Sequence, residues 1–275
     1  MKTLFTRGGI LLLLISLAFS CVDPETPTCR IAQFYWEGEW HRAEYNSSGR
    51  LRALVAENSK IVFYYDALFQ LTSAEIYMGD PEPFYKYEFT HGPHGIIQTD
   101  EFHPSTLGIE HNRTIYHYSG PASVDYIIHQ EFGYTEELGF EIRYDIHYSG
   151  GNVKHIHGSS SFITTDYYAA KYDNKHNPFK ALAATVGNNV FFPVGIHANF
   201  PVSDYDISYL NLFSKNNPIR GQYNVPGVDP SDQRFTYTYD GDIAKSLKWD
   251  NTSYGTTTSE KYAFEFECRA IKTEE

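Results

Sequence analysis

Apolar and polar residues alternate along most of this chain. Phe140-Glu141-Ile142-Arg143-Tyr144-Asp145-Ile146-His147-Tyr148 puts an apolar side chain at every second position, the period of a strand with one face buried and the other solvated. Lys261 to Cys268 repeats the pattern with Tyr262, Phe264, Phe266 and Cys268 on one face. Shorter rows follow in Ile61/Phe63/Tyr65, Tyr85/Tyr87/Phe89 and Phe235/Tyr237/Tyr239. Turn clusters separate the runs: Asn46-Ser47-Ser48-Gly49, Gly79-Asp80-Pro81, His91-Gly92-Pro93, Ser149-Gly150-Gly151-Asn152 and Asp240-Gly241-Asp242. Runs bounded this closely join as hairpins, so the sheet is predicted to be antiparallel. A parallel sheet needs crossover connections, and the chain leaves no room for them. One stretch breaks the period: Asn177 as N-cap, Pro178 at the first helical position, alanines within and Gly187 as stop predict a short helix from Pro178 to about Thr185. Ser208 to Phe213 is a weaker second candidate. The expected fold is all-β, an antiparallel meander curling into a sandwich or partly closed barrel, with one short helix inserted. Curling removes the open edges of a flat sheet.

The amino terminus follows a different rule. Lys2 and Arg7 give a positive start, Ile10 to Leu17 is apolar apart from Ser16, and Leu17-Ala18-Phe19-Ser20 leads into Cys21. That order is the layout of a bacterial lipoprotein signal peptide. Its apolar core is shorter than the roughly 20 residues that cross a bilayer. Residues 1–20 are therefore expected to be removed and Cys21 to carry the lipid, diacylglycerol on its thiol and an acyl chain such as palmitate on its amine. Each buried CH₂ of such chains contributes about 0.8 kcal/mol of membrane affinity. The alternative is an ordinary secretory signal in which Cys21 is incidental. Cys21 to Thr28, with Pro24 and Pro27, reads as an extended tether. Residues 29–275 form the single all-β domain.

Charge narrows the partners. The net charge of −12 becomes −14 once Lys2 and Arg7 leave with the signal, and an acidic chain is a poor partner for nucleic acid. The membrane is expected as a partner only through the lipid anchor. Cys29 and Cys268, near the two ends of the domain, are a possible disulfide in an exported protein or two buried thiols. The 23 Tyr and 19 Phe against 2 Met favour strands.

Motifs with a mechanism are scarce. The chain has no Gly-x-x-x-x-Gly-Lys loop, no His-Glu-x-x-His and no Gly-x-Ser-x-Gly elbow. Gly158-Ser159-Ser160-Ser161 comes nearest to a nucleophile site but reads as a polar turn or strand edge. His155 and His157 share one face of a strand, with His147 one hairpin away. They are weak candidate metal ligands that lack a third partner in the sequence, so no metal and no cofactor are expected. His91 and His94 could also hold a metal, though the Gly-Pro between them fits a turn better. Asp100-Glu101 and Glu136-Glu137 are adjacent acids that a strand points to opposite faces, unlike the facing carboxylates of glycosidases. Asp229-Pro230-Ser231-Asp232 and Asp240-Gly241-Asp242 lack the full spacing of a calcium loop. Trp36 and Trp40 flank Glu37-Gly38-Glu39, a hairpin tip, and with Tyr35 are candidates for stacking on a sugar ring or a partner protein.

A weak repeat also runs through the chain. Tyr45-Asn46-x-x-Gly49-Arg50-Leu51 is echoed by Tyr65-Asp66-x-x-Phe69-Gln70-Leu71, and more loosely at Tyr172-Asp173 and Tyr239-Asp240. Each is a strand ending in Tyr followed by an Asn or Asp that starts a turn. The unit resembles the YD repeat of Rhs-type bacterial surface proteins. With Tyr172-Asp173-Asn174-Lys175-His176-Asn177-Pro178-Phe179 and Leu212 to Pro218, the whole chain resembles uncharacterised lipoproteins of host-associated Gram-negative anaerobes. That resemblance implies an outer-membrane or cell-surface location, and Asp23 and Glu25 behind Cys21 resemble a partial surface-export tag. It brings no catalytic residues. The expected function is a non-enzymatic envelope lipoprotein that binds a glycan or a protein. The alternatives are a structural or assembly component of the envelope and a hydrolase acting on polysaccharide.

Overall fold

The alternating runs form strands, and the strands close on themselves. A computed structural model describes residues 29–36, 38–105, 108–120, 123–133, 135–188, 190 and 213–268; within these, the side chains of residues 29, 104, 105, 108, 109, 170 and 268 are outside the description. The chain divides into Arg30–Glu267, which carries the barrel, and a unit made of the two chain ends. The first strands are β1 (Cys29–Trp36), β2 (Glu39–Tyr45), β3 (Leu51–Val55), β4 (Lys60–Tyr65), β5 (Leu71–Tyr77) and β6 (Tyr85–Gly92). Next come β7 (Gly95–Ser105), β8 (Gly108–Gly120), β9 (Ser123–Phe132), β10 (Leu138–Ser149), β11 (Asn152–Ser159) and β12 (Thr164–His176). After the helix α1 (Pro178–Thr185) come β13 (Asn216–Asn224), β14 (Ser231–Asp240), β15 (Ile243–Ser253) and β16 (Thr256–Cys268). Each strand pairs with its sequence neighbours, and β16 returns to β1, making a closed antiparallel barrel. The expected curling thus runs to full closure.

One row of side chains faces inward. Ile61 and Phe63 on β4, Ile142 and Tyr144 on β10, Tyr167 on β12, Leu247 and Trp249 on β15 and Phe264 on β16 are all at most 4 % exposed and belong to one apolar cluster. The helix joins it. Asn177 accepts from the Phe179 N–H at 3.0 Å, as an N-cap does, and Phe179, Leu182 and Ala183 are buried. The Phe179 ring meets Tyr262 and Phe264 edge-on at 5.8 and 5.5 Å, while Phe34 of β1 stacks on Phe264 at 5.4 Å. Aromatic packing therefore holds the β1–β16 seam from inside, and an Arg30–Glu267 ion pair at 3.0 Å crosses it outside. Gly158 is needed for this packing. It lies opposite Tyr144, and a Cβ there would sit 2.9 Å from the Tyr144 ring and closer still to the Thr165 hydroxyl.

The other row faces outward and is polar. It carries Arg42–Glu44 (2.9 Å), Lys86–Glu88 (2.7 Å), Arg113–Asp100 (2.7 Å), Arg143–Asp145 (2.7 Å) and Lys248–Asp250 (2.6 Å). A lipid-facing barrel shows the reverse, an apolar outer band in which each Arg or Lys at mid-bilayer depth costs about 2–4 kcal/mol. The described outer wall is a surface suited to water.

At one end of the barrel the even strands are tied to the odd ones. Tyr45, Tyr65, Tyr118, Tyr148 and Tyr172 each donate a hydroxyl hydrogen bond of 2.5–3.1 Å, to the carbonyls of Ile31, Leu51, Ile96, Val124 and Val153 respectively. His91 donates from Nε2 to the Leu71 carbonyl at 2.7 Å in the equivalent place. Each acceptor belongs to a buried aliphatic residue near the start of its strand. The β2–β3 and β4–β5 turns share one design. Asn46 Oδ1 accepts from the N–H groups of Ser48 and Arg50, as Asp66 Oδ1 does from those of Leu68 and Gln70. The left-handed position is Gly49 (φ 80°) in the first turn and Phe69 (φ 60°) in the second.

Candidate functional site

The two indoles part company. Trp36 ends β1 on the inward row at 6 % exposure, 5.6 Å from the His41 ring. Trp40 is 43 % exposed on the outer wall. The expected Trp36–Trp40 stacking pair is therefore corrected: Trp36 is core, and the outward aromatic pair is Trp40 with Tyr35, its partner in the β1–β2 register, edge-on at 5.5 Å.

Beside Trp40 a shallow groove of about 610 Å³ runs along the seam. Ala32 and Ala263 leave the depression, because their side chains end at Cβ. Trp40 borders it, and Gln33, Lys245 and Glu265 supply an amide, an amine and a carboxylate. A flat apolar face next to hydroxyl-binding groups is suited to a saccharide or a polar peptide segment.

Three histidines gather on β10 and β11, facing Asp166 and Tyr168 of β12. His155 pairs with His147 across β10–β11 and with Tyr168 across β11–β12, and His157 lies opposite Asp166. One oxygen of Asp166 is 2.7 Å from His155 Nε2 and 2.9 Å from His157 Nδ1. Burial alone would raise the Asp166 carboxyl, but the hydrogen bonds and charge of the two imidazoles outweigh it and hold the group below its ordinary value. Sequence reading missed Asp166. The signal was its polar place two residues before Tyr168, but using it required the β11–β12 register. His91 is occupied by its bond to Leu71.

Asp100 and Glu101 separate as a strand demands, whereas Glu136 and Glu137 lie in the turn between β9 and β10, with Glu136 at φ 58°. Asp100 faces outward to Arg113 and His111, at 2.7 and 2.8 Å. Glu101 faces the interior, where burial pushes its carboxyl up to about 7 against the opposing hydrogen bonds of Asn112 and Tyr87. Asp232 and Asp250 share a shallow depression on the outer wall. Arg220 pairs with Asp232 at 3.0 Å and Lys248 with Asp250 at 2.6 Å, and the Lys248 and Ser259 hydrogen bonds hold Asp250 below its ordinary value. At Asp240 and Asp242 the amines of Lys245 and Lys175 take the place a cation would need. Cys21, the Cys29 and Cys268 side chains and nearly all of the Ser208–Phe213 segment lie outside the described residues.

No family model matches the chain, and no curated protein does. Among solved structures, a porin-like protein from Bacteroides vulgatus aligns with a TM-score of 0.54 at 12 % identity, over 86 % of this chain and 98 % of its own. A porin-like protein from Bacteroides uniformis aligns with a TM-score of 0.49 at 14 % identity, over 86 % and 98 % of the two chains. At such identities only fold is compared, and the chain shares its fold with the Bacteroides vulgatus protein.

Proposed function

We propose that the protein is a lipid-anchored, non-enzymatic module of the Gram-negative cell envelope that binds a glycan in its seam groove. The observation that carries the binding reading is Trp40, an indole 43 % exposed at the lip of a groove lined by Gln33, Lys245 and Glu265. Stacking a sugar on it buries a flat apolar face at little rotamer cost, while the polar groups bond the hydroxyls. The polar outer wall supports attachment through Cys21 rather than through the barrel, and the buried apolar inward row speaks against a water-filled pore of the kind the porin-like name suggests. A hydrolase would need an accessible acid with a raised pKa facing a free carboxylate. Glu101 is raised but half-buried on the inward row beside Tyr87 and Asn112, and Asp232 and Asp250 are open but ion-paired.

The test is a glycan array followed by titration of the best ligand. Wild type is expected to bind. Trp40→Ala should lower affinity at least tenfold with an unchanged circular dichroism spectrum. Binding indifferent to Trp40→Ala would remove the groove assignment, and release of reducing ends from a polysaccharide would replace the binder with an enzyme.

A further inference from the structure

Outside the groove, the outer wall concentrates metal-binding side chains in one place. His155, His157 and Asp166 present ligand atoms that all lie within 4.8 Å of one another. They come from two adjacent strands whose register sets His157 directly opposite Asp166 and His155 two residues along the same face, opposite Tyr168. Without a metal, one Asp166 oxygen accepts from both imidazoles, which places a proton on His155 Nε2 and on His157 Nδ1. A single cation in place of those two protons would turn the same three atoms into ligands. A tetrahedral ion about 2.0–2.1 Å from each ligand sets ligand atoms roughly 3.3–3.4 Å apart. The observed separations run from 2.7 Å to at most 4.8 Å, so small side-chain adjustments suffice.

Two further observations favour a metal over a plain hydrogen-bonded cluster. The first is orientation. The His155 ring is held between His147 (5.5 Å, 14° between planes) and Tyr168 (4.4 Å, 4°), so the stack aims Nε2 at Asp166 before any ion arrives. The second is the absence of a competing cation. Asp100 also meets a histidine, but the Arg113 guanidinium sits on its carboxylate at 2.7 Å. Among the described ion pairs, Asp166 meets only the two histidines. The three side chains are 23 %, 39 % and 30 % exposed, which leaves an approach from solvent.

We propose that His155, His157 and Asp166 bind one divalent transition-metal ion of the zinc class, with the fourth position open to water or a small ligand. Two imidazoles and one carboxylate form a nitrogen–oxygen donor set suited to zinc and its neighbours rather than to calcium or magnesium. This departs from the expectation drawn from sequence, because the third ligand is contributed by a different strand.

Untagged full-length protein, kept in reducing detergent buffer, would be titrated with ZnCl₂ by calorimetry and with CoCl₂ by visible absorbance. The expected result is one ion per chain, with cobalt bands in the visible and no thiolate charge-transfer band. Asp166→Asn and His157→Ala should each weaken zinc binding at least tenfold, while His103→Ala, remote on β7, should leave it unchanged. Melts in EDTA confirm that each variant is folded; if Asp166→Asn proves unstable, His157→Gln gives the same reading. No stoichiometric binding, binding that survives both Asp166→Asn and His157→Ala, or a thiolate band placing the ion on cysteine would each overturn the proposal.

Discussion

Glu101→Gln should make the barrel more stable at alkaline pH and leave it nearly unchanged in mild acid. Glu101 points inward from β7, receives hydrogen bonds from Asn112 and Tyr87, and has its carboxyl pushed by burial from an ordinary 4.5 to about 7. The unfolded carboxyl ionises near 4.5 and the folded one near 7. Its stabilising contribution is therefore complete below pH 4.5 and is lost as the pH rises through 7. Each pKa unit corresponds to about 1.36 kcal/mol, giving roughly 3 kcal/mol in full, of which about 2.5 kcal/mol falls between pH 5 and pH 8. Gln keeps the size of the side chain and an acceptor for both neighbours but carries no titrating proton. Urea denaturation of wild type and variant at pH 5 and pH 8 isolates this group from the many others that titrate. The stability difference between the two proteins should grow by about 2 kcal/mol across that interval, or by roughly 4–8 °C in melting temperature at about 2–4 °C per kcal/mol. Parallel pH profiles would show that Glu101 is solvated in solution and would refute the inward reading of this part of β7.

Three other outcomes are expected. Tyr65→Phe removes the 2.6 Å bond to the buried Leu51 carbonyl and should cost about 1–2 kcal/mol by chemical denaturation. Tyr64→Phe, which loses an exposed bond to Glu75, should cost under about 0.5 kcal/mol; equal losses would show that the rim ties carry no special weight. Phe69→Asn places a residue that tolerates the left-handed region at φ 60° and should raise stability by about 0.5–1 kcal/mol, whereas Gly49→Asn at the equivalent turn position gains no such relief. Cys21→Ser should abolish labelling by a clickable palmitate analogue and release soluble protein; undiminished labelling would move the lipid elsewhere.

Local pattern carried much of the architecture. The run Phe140–Tyr148 lies within β10, the row ending at Cys268 within β16, and the helix spans Pro178–Thr185 as its caps foretold. These are legible because period and capping are properties of neighbouring residues. Closure was less so, since pairing of β16 with β1 joins residues such as Arg30 and Glu267 that are 237 positions apart. The Trp36–Trp40 assignment failed at one hairpin tip, because parity along β1 does not carry across a turn whose geometry is unknown. Asp166 stayed hidden for a related reason: a two-residue period gives a side chain's face, while its cross-strand neighbour depends on register. Tyr45-Asn46 and Tyr65-Asp66 announced turns, whereas Tyr172-Asp173 lies inside β12, and nothing in the letters told that the phenol reaches back to the preceding strand.

Because β1 and β16 are hydrogen-bonded neighbours in a ring of sequential hairpins, no strand within the barrel is topologically first. Such a ring lends itself to circular permutation. Joining the ends of β1 and β16 by a short linker and reopening the chain at the Gly79-Asp80-Pro81 turn, between β5 and β6, would keep every strand pairing and change only which hairpin bears the free ends. A permuted gene would carry the lipid anchor proposed at Cys21 on a different side of the wall. The seam groove would then turn relative to the membrane with Trp40 and its neighbours intact, separating the proposed glycan binding from the direction in which the proposed anchor makes the groove face.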